Sequence, residues 1–334
     1  MTDLNALDEL GRTLDPPSAT PPGRLRHRVL TEASRPARGR RWLTAPRFGW
    51  RVAAVGSLAA VVTVGVLATQ VVSFGEHAPA SSASAAERIL AGAADQARRQ
   101  PALPVRSDQF IYVESRDLVM NFTEGGSGRA TITPVERRIW LSADGTRDGL
   151  LRERPASGRP HESVLAGCQD GKFTQPNDGR TAEGSCTPTP AHHADLPTNA
   201  DGMLRYLYRR ADGRKSPGNG NPRDQEAFTI AGDLIREAYV PPASLAAVFE
   251  AVARIPGVRV VGDVTDEAGR AGIALARDEV QGIRAELIFD RKTYAFLGEH
   301  EVLTREAYGV PAGQSIYSTA VLKVAVVDRA GQLP

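Results

Sequence analysis

Cysteine is nearly absent. The 334 residues hold only Cys168 and Cys186, and no C-x-x-C pair occurs, which excludes a dithiol redox motif and a cysteine-rich zinc site. Histidine is scarce as well. None of the six histidines opens an H-E-x-x-H run, because His161-Glu162 and His300-Glu301 both lack a second histidine four residues on. G-x-S-x-G, S-x-x-K, the phosphate-binding loop with its G-K-[ST] ending and G-x-G-x-x-G are all missing too. The sequence therefore predicts a protein that is not an enzyme and that needs no cofactor. Lysine is the third scarcity: four lysines stand against 37 arginines in an Ala- and Gly-rich chain. That bias reflects a GC-rich genome before it reflects chemistry, so arginine number is no guide to binding sites.

One long apolar run is present. From Val52 to Phe74 there are 23 consecutive residues without Asp, Glu, Lys, Arg, His, Asn or Pro. At about 1.5 Å per residue in a helix this spans a hydrocarbon layer of about 30 Å. Trp42 and Trp50 precede the run together with Arg47 and Arg51, the composition of a membrane interface. Residues 1–51 carry ten arginines against five acids, net +5, so the remaining 31 basic and 34 acidic residues give −3. Basic flanks stay on the cytoplasmic side. The expectation is a single-pass plasma-membrane protein with its amino end inside and its carboxyl-terminal part outside. The positive charge then belongs beside anionic lipid headgroups, which makes nucleic acid a poor partner. A cleaved signal peptide is the rival reading, but its apolar region is about 7 to 15 residues and its basic region far shorter than this one.

Outside the cytoplasm, two cysteines with 17 residues between them are expected to pair. A metal reading would have to enlist His192 and His193, which are expected instead as solvated loop residues.

The chain divides accordingly into a basic cytoplasmic tail (1–51), the span (52–74), a tether (75–82) and an outer domain (83–334). Ala86, Ile89, Leu90, Ala93, Ala94 and Ala97 recur at helical spacing before Pro101 and Pro104. DQFIYVESRDLVMNF and TITPVERRIWLSADG alternate like a half-buried antiparallel pair, and RDGLLRERP adds a third run. Residues 155–197, dense in Gly, Pro and Asn, are expected as a long loop that holds the disulfide. Three amphipathic helices follow: one opening near Thr198 and Asp201, one after NPRD, and one at Pro241-Pro242. Five strands with short turns end the chain, for a sheet of about eight. Asp266 and Glu267 are expected in a solvated turn, Asp290 as a turn residue and His300 at a surface or strand edge. The predicted fold class is α+β: one transmembrane helix, then an extracytoplasmic antiparallel β-sheet domain with helices packed on one face.

Several segments carry a resemblance. The arginine-rich tail and single span, the Ala-rich helix followed by Q-F-x-Y, Leu196-Pro197-Thr198, ARIPGVRVVGDVTDEAGRAGIAL and ELIFDRKTYAFLGE together resemble an uncharacterised actinobacterial family of single-pass membrane proteins. That family is often met beside extracytoplasmic-function sigma factors. The hairpin LIFDRKTYAFLGE, with its D-x-x-T turn, is similar to hairpins of the periplasmic lipoprotein-carrier group, which includes sensor domains of sigma-factor regulators. The family has no established function; the topology and the missing catalytic motifs lead to the expectation of a non-enzymatic, membrane-anchored protein with an outer binding or sensor domain and a cytoplasmic regulatory partner such as a sigma factor. Its alternative is a carrier of a lipid or other apolar ligand held between sheet and helices.

Overall fold

The computed structural model describes residues 80–122, 130–177, 180–214, 222–277 and 281–334. The expected span at 52–74, with Trp42, Arg47, Trp50 and Arg51, lies outside them. Among the described residues no helix is long and apolar enough to cross a membrane.

Helix α1 (Ala80–Arg98) opens the described chain and turns the predicted stripe inward: Ala86, Leu90, Ala93, Ala94 and Ala97 are buried. Four strands follow, β1 (Phe110–Phe122), β2 (Ala130–Ser142), β3 (Gly149–Pro155) and β4 (His161–Leu165), then the hairpin β5 (Lys172–Asn177) and β6 (Arg180–Ser185). Helices α2 (Ala200–Gly213), α3 (Arg223–Arg236) and α4 (Pro242–Val252) come next. The chain closes with β7 (Arg259–Thr265), β8 (Ala271–Ala276), β9 (Ile283–Asp290), β10 (Phe296–Leu303) and β11 (Ser315–Val327).

Local chemistry fixes the helix starts. Asn199, rather than Thr198 or Asp201, caps α2 by accepting the Gly202 N–H at 2.9 Å. Pro242 occupies the first turn of α4, where a missing N–H costs nothing.

Nine strands form one antiparallel sheet in the order β4-β3-β2-β1-β11-β10-β9-β8-β7, so the first and last strands of the chain pair at its centre. The ninth strand is β4, inside the segment expected as a loop; β5 and β6 form a separate two-stranded sheet there. Residues 155–197 are thus not a bare loop. Their strands are short and their side chains mostly exposed, so composition could not reveal a ladder made mainly by backbone.

The two cysteines are joined at the base of that hairpin, Cα to Cα 5.8 Å. A closed loop of this size removes about 3 kcal/mol of chain entropy from the unfolded state. Cys168→Ser with Cys186→Ser is therefore expected to lower stability by up to ~3 kcal/mol, read as a lower urea midpoint that added reductant no longer changes.

The helices cover one face of the sheet at the β7–β10 end. Leu275, Leu287 and Phe289 pack against Leu90, Phe228, Val248 and Phe249, all essentially without solvent contact. Phe289 meets Phe249 edge to face at 5.4 Å. At the β1–β3 end the same face carries Ile111, Val113, Ile139 and Leu151, covered by Ala191 and Tyr239 from irregular chain. On the opposite face Tyr112 and Trp140 lie beneath the carboxyl-terminal residues, with the Trp140 indole donating to the Gln332 carbonyl at 2.6 Å.

Candidate functional site

Strand alternation builds the site. The face that carries Ile111 and Val113 on β1, Leu141 and Ile139 on β2 and Leu151 on β3 continues as Ser115 and Asp117, Arg137 and Glu153. Antiparallel register sets Glu153, Arg137 and Ser115 opposite one another in one row, and Asp117, Thr319 and Glu299 in the next across β1, β11 and β10. Apolar sheet thus gives way to ionic sheet along one line, and Leu287 opposite Glu299 restores the apolar core.

The carboxyl-terminal turn of α3 descends onto this line. Arg137 Nη1 lies 3.1 Å from Glu237, and its Nε lies 3.4 Å from Glu153 and 3.9 Å from Asp117. Arg236 pairs with Glu299, lies 3.7 Å from Asp233 and 3.5 Å from Glu237, and sits 5.6 Å above the Tyr317 ring. Arg214 bridges Asp233 and Glu226, each at 3.1 Å. Gly232 makes room for this docking: a Cβ there would fall 2.8 Å from the Glu299 carboxylate. Arg137 and Asp117 are 3% and 2% exposed, so the joint is an interior feature.

Burial raises the Asp117 carboxyl to about 6 against the pull of Arg137. It also raises Glu299 in spite of Arg236, and raises the Tyr317 phenol. Burial works to lower both arginines, but Glu237, Asp117 and Glu153 around Arg137, and Glu299, Tyr317 and Glu237 around Arg236, hold them charged. Asp117 Oδ1 and the Nε atoms of Arg137 and Arg236 make no hydrogen bond and have no solvent contact.

A second polar row crosses the opposite face. Glu286, His300 and Ser318 stand opposite one another on β9, β10 and β11. The composition is that of a nucleophile, base and acid, but the geometry is not. The Ser318 hydroxyl donates to Glu267 at 2.7 Å, His300 Nδ1 is 3.9 Å from Glu286, and the three residues are at most 7% exposed, out of a substrate's reach. His300 is therefore a buried residue of the sheet and not an edge one, and burial lowers its pKa. Asp266, expected in water, is buried, accepting from the N–H groups of Ala268 and Arg270 and pairing with the Arg270 guanidinium. The histidine pair is half buried: His192 and His193 join a backbone ladder with Ala143 and Tyr239, and burial lowers the pKa of both. Asp290 does act as a turn residue, its Oδ1 accepting from the N–H groups of Lys292 and Thr293 and from the Thr293 hydroxyl.

Two hollows are superficial. One of about 570 Å³ lies along Ser84, Glu87, Arg88 and Ala91 on the outer side of α1. The other, about 430 Å³, lies over β1–β4 among Arg116 and the pairs Arg138–Glu114 and Arg154–Glu136. Among the described residues no group of three His, Cys, Asp or Glu is placed to hold a metal ion.

No family model and no curated protein matches the chain. Solved structures do. A chain of the MucA/MucB complex of Pseudomonas aeruginosa is 14% identical over 75% of this chain and 58% of its own, with a TM-score of 0.25. A LolA-superfamily protein from Nitrosomonas europaea is 9% identical over 75% of this chain and 94% of its own, at 0.22. An outer-membrane lipoprotein-sorting domain from Vibrio parahaemolyticus is 9% identical over 72% and 93%, at 0.21. The chain thus spans 58% of the MucA/MucB chain it matches. At these TM-scores the likeness transfers neither ligand nor partner to this chain.

Proposed function

We propose that the chain is a non-enzymatic, membrane-anchored protein whose α+β domain lies outside the cytoplasm and binds or senses a partner there. Residues 1–51 are its cytoplasmic arm, with a regulatory protein such as a sigma factor as the partner on that side. The observation that carries the binding reading over the carrier reading is that, among the described residues, buried side chains fill the space between helices and sheet, apolar at one end and ionic at the other. An apolar ligand would need a lined cavity of several hundred Å³ in that space, and a lipid tail placed there would have to part the Arg137–Glu237 and Arg236–Glu299 pairs without replacing them. The pairing of the chain's two cysteines supports an oxidising compartment.

Alkaline phosphatase fused at the carboxyl terminus is expected to be active in intact cells, and a fluorescent protein fused there that matures only in the cytosol is expected to stay dark. The reverse pattern removes the proposed topology. Native mass spectrometry of the full chain is expected to show only lipid that detergent exchange removes, as contact of the span with the bilayer requires, and no lipid retained after it.

A further inference from the structure

We infer that the face of β1, β2 and β3 turned away from the helix layer is a docking surface for an extended acidic segment of another protein. The inference rests on the reading that the domain binds a partner, and it names where and by what chemistry.

An antiparallel sheet can leave one face to water, so an open face alone says nothing. Three features set this one apart. Register puts Arg138 directly opposite Arg152, and like charges so placed weaken a sheet unless something else meets them. Arg116 stands opposite Glu136, but that carboxylate pairs with Arg154 at 3.6 Å, and among the described residues no ion pair reaches Arg116. Arg138 holds Glu114 and Arg152 holds Glu162, so four guanidinium groups meet three carboxylates and Arg116 is the surplus. Its sign is opposite to the −3 carried by residues 52–334. The second feature is a bulge at the centre of the sheet. Glu114 pairs with Lys323 and Ser115 with Val321, which leaves Leu322 without a partner on β1 and lifts it, 40% exposed, beside Glu114 and Arg116. The third is the hollow of about 430 Å³ that these side chains surround.

Charge and spacing select the occupant. A guanidinium group binds a carboxylate through two parallel N–H donors, and arginine clusters recognise acidic motifs in this way. The pairs already present are open to water, Arg154 and Glu136 at 72% and 61%, so exchanging a glutamate of this face for one of the partner costs little. Arg152 and Arg154 lie two residues apart on β3, as do the rows of Arg138 and Arg116. That interval, about 6.8 Å, is the spacing of alternate side chains in an extended chain. A segment lying along the strands thus sets successive carboxylates over successive rows, and an apolar residue between them meets Leu322. The bilayer is the poorer occupant. Helix α1, next in sequence to the proposed span, packs against β7 on the other face, six strand spacings or about 30 Å from β2.

The experiment follows fluorescence anisotropy of a short labelled peptide of alternating glutamate and serine, with leucine at its centre, titrated with the full chain in phosphatidylcholine nanodiscs. Saturable binding is expected, weakening with potassium chloride. Arg116→Gln and Leu322→Ser are each expected to weaken it about five-fold or more. Arg291→Gln, at an exposed pair with Asp263 on β7, is the control and is expected to leave binding unchanged. Unaltered thermal unfolding establishes that each variant is folded; should either shift, Arg154→Gln takes its place with the same expected loss. Absence of saturable binding overturns the inference, as does equal binding of the glutamine counterpart of the peptide or an equal loss in Arg291→Gln. Binding to phosphatidylglycerol vesicles that Arg116→Gln removes, without binding of the peptide, assigns the face to lipid and also overturns it. The titration uses purified protein, so its failure leaves the proposed topology standing, and failure of the phosphatase fusion leaves the docking surface standing.

Discussion

Arg137→Met is expected to destabilise the protein by about 3–5 kcal/mol at pH 7.5, the largest loss of any single charge removal in the sheet. Methionine fills much of the same volume, so the loss is electrostatic rather than a cavity. Without the guanidinium, Asp117 and Glu153 lose the cation that lies between them, while Glu237 still has Arg236 at 3.5 Å. Asp117 and Glu153 are held by strand backbone that cannot turn them to water without breaking the β1–β2–β3 ladder. Acid should relieve the variant, because Asp117, already raised by burial, loses the cation that held it down and takes up its proton sooner as pH falls. Urea unfolding at pH 7.5 and 5.0 tests both statements. A loss below ~1 kcal/mol that is the same at both pH values would mean that the carboxylates find other partners. Removing acid and base together, as in Arg137→Met with Asp117→Leu, is expected to recover much of the loss, since apolar replacements of buried ionic groups are often neutral.

The second large effect belongs to a glycine. Gly298 lies at the bulge where β10 shifts register against β9, with φ at +155°. A Cβ built there would stand 1.7 Å from the Thr319 carbonyl oxygen and 2.8 Å from its carbon, atoms of the neighbouring strand that no side-chain rotation can move. Gly298→Ala must therefore part β10 from β11 or refold the bulge, at an expected ~3–5 kcal/mol. Glu299 follows directly, so the Arg236 pair would go with it. Gly269→Ala is the comparison. Its φ is +79° but nothing lies within 4 Å, so only the conformational cost of about 1 kcal/mol applies. Equal losses in the two variants, measured by urea unfolding, would contradict a steric origin.

Much of the architecture could be read from the sequence, for reasons visible in particular residues. Ala86 to Ala97 announced a helix face because small side chains at helical spacing have no other use, and Phe110 to Val113 against Ile139 to Leu141 announced a strand pair by alternation. The D-x-x-T hairpin was legible because Asp290 needs only its own neighbours to make its turn. Strand β4 was not, since its five residues gain their place mainly from hydrogen bonds to β3. The ionic joint left a trace, the change from Ile and Val to Ser, Asp and Arg on one face of VESRD and VERRI. Its meaning depended on register, which no single segment encodes. The same holds for Asp266 and His300, whose burial is decided by strands far away in sequence.

Pairing of β1 with β11 also governs how the chain can be completed as it is made. Phe110 meets Val327 across more than two hundred intervening residues, so the central ladder cannot close until both strands have been made. Until then two separate meanders wait with unsatisfied edges, and long-range pairings of this kind form slowly and invite wrong partners. Strand β11 is the one that joins them, so a chain shortened before Ser315 should yield two sticky halves instead of a weakened whole.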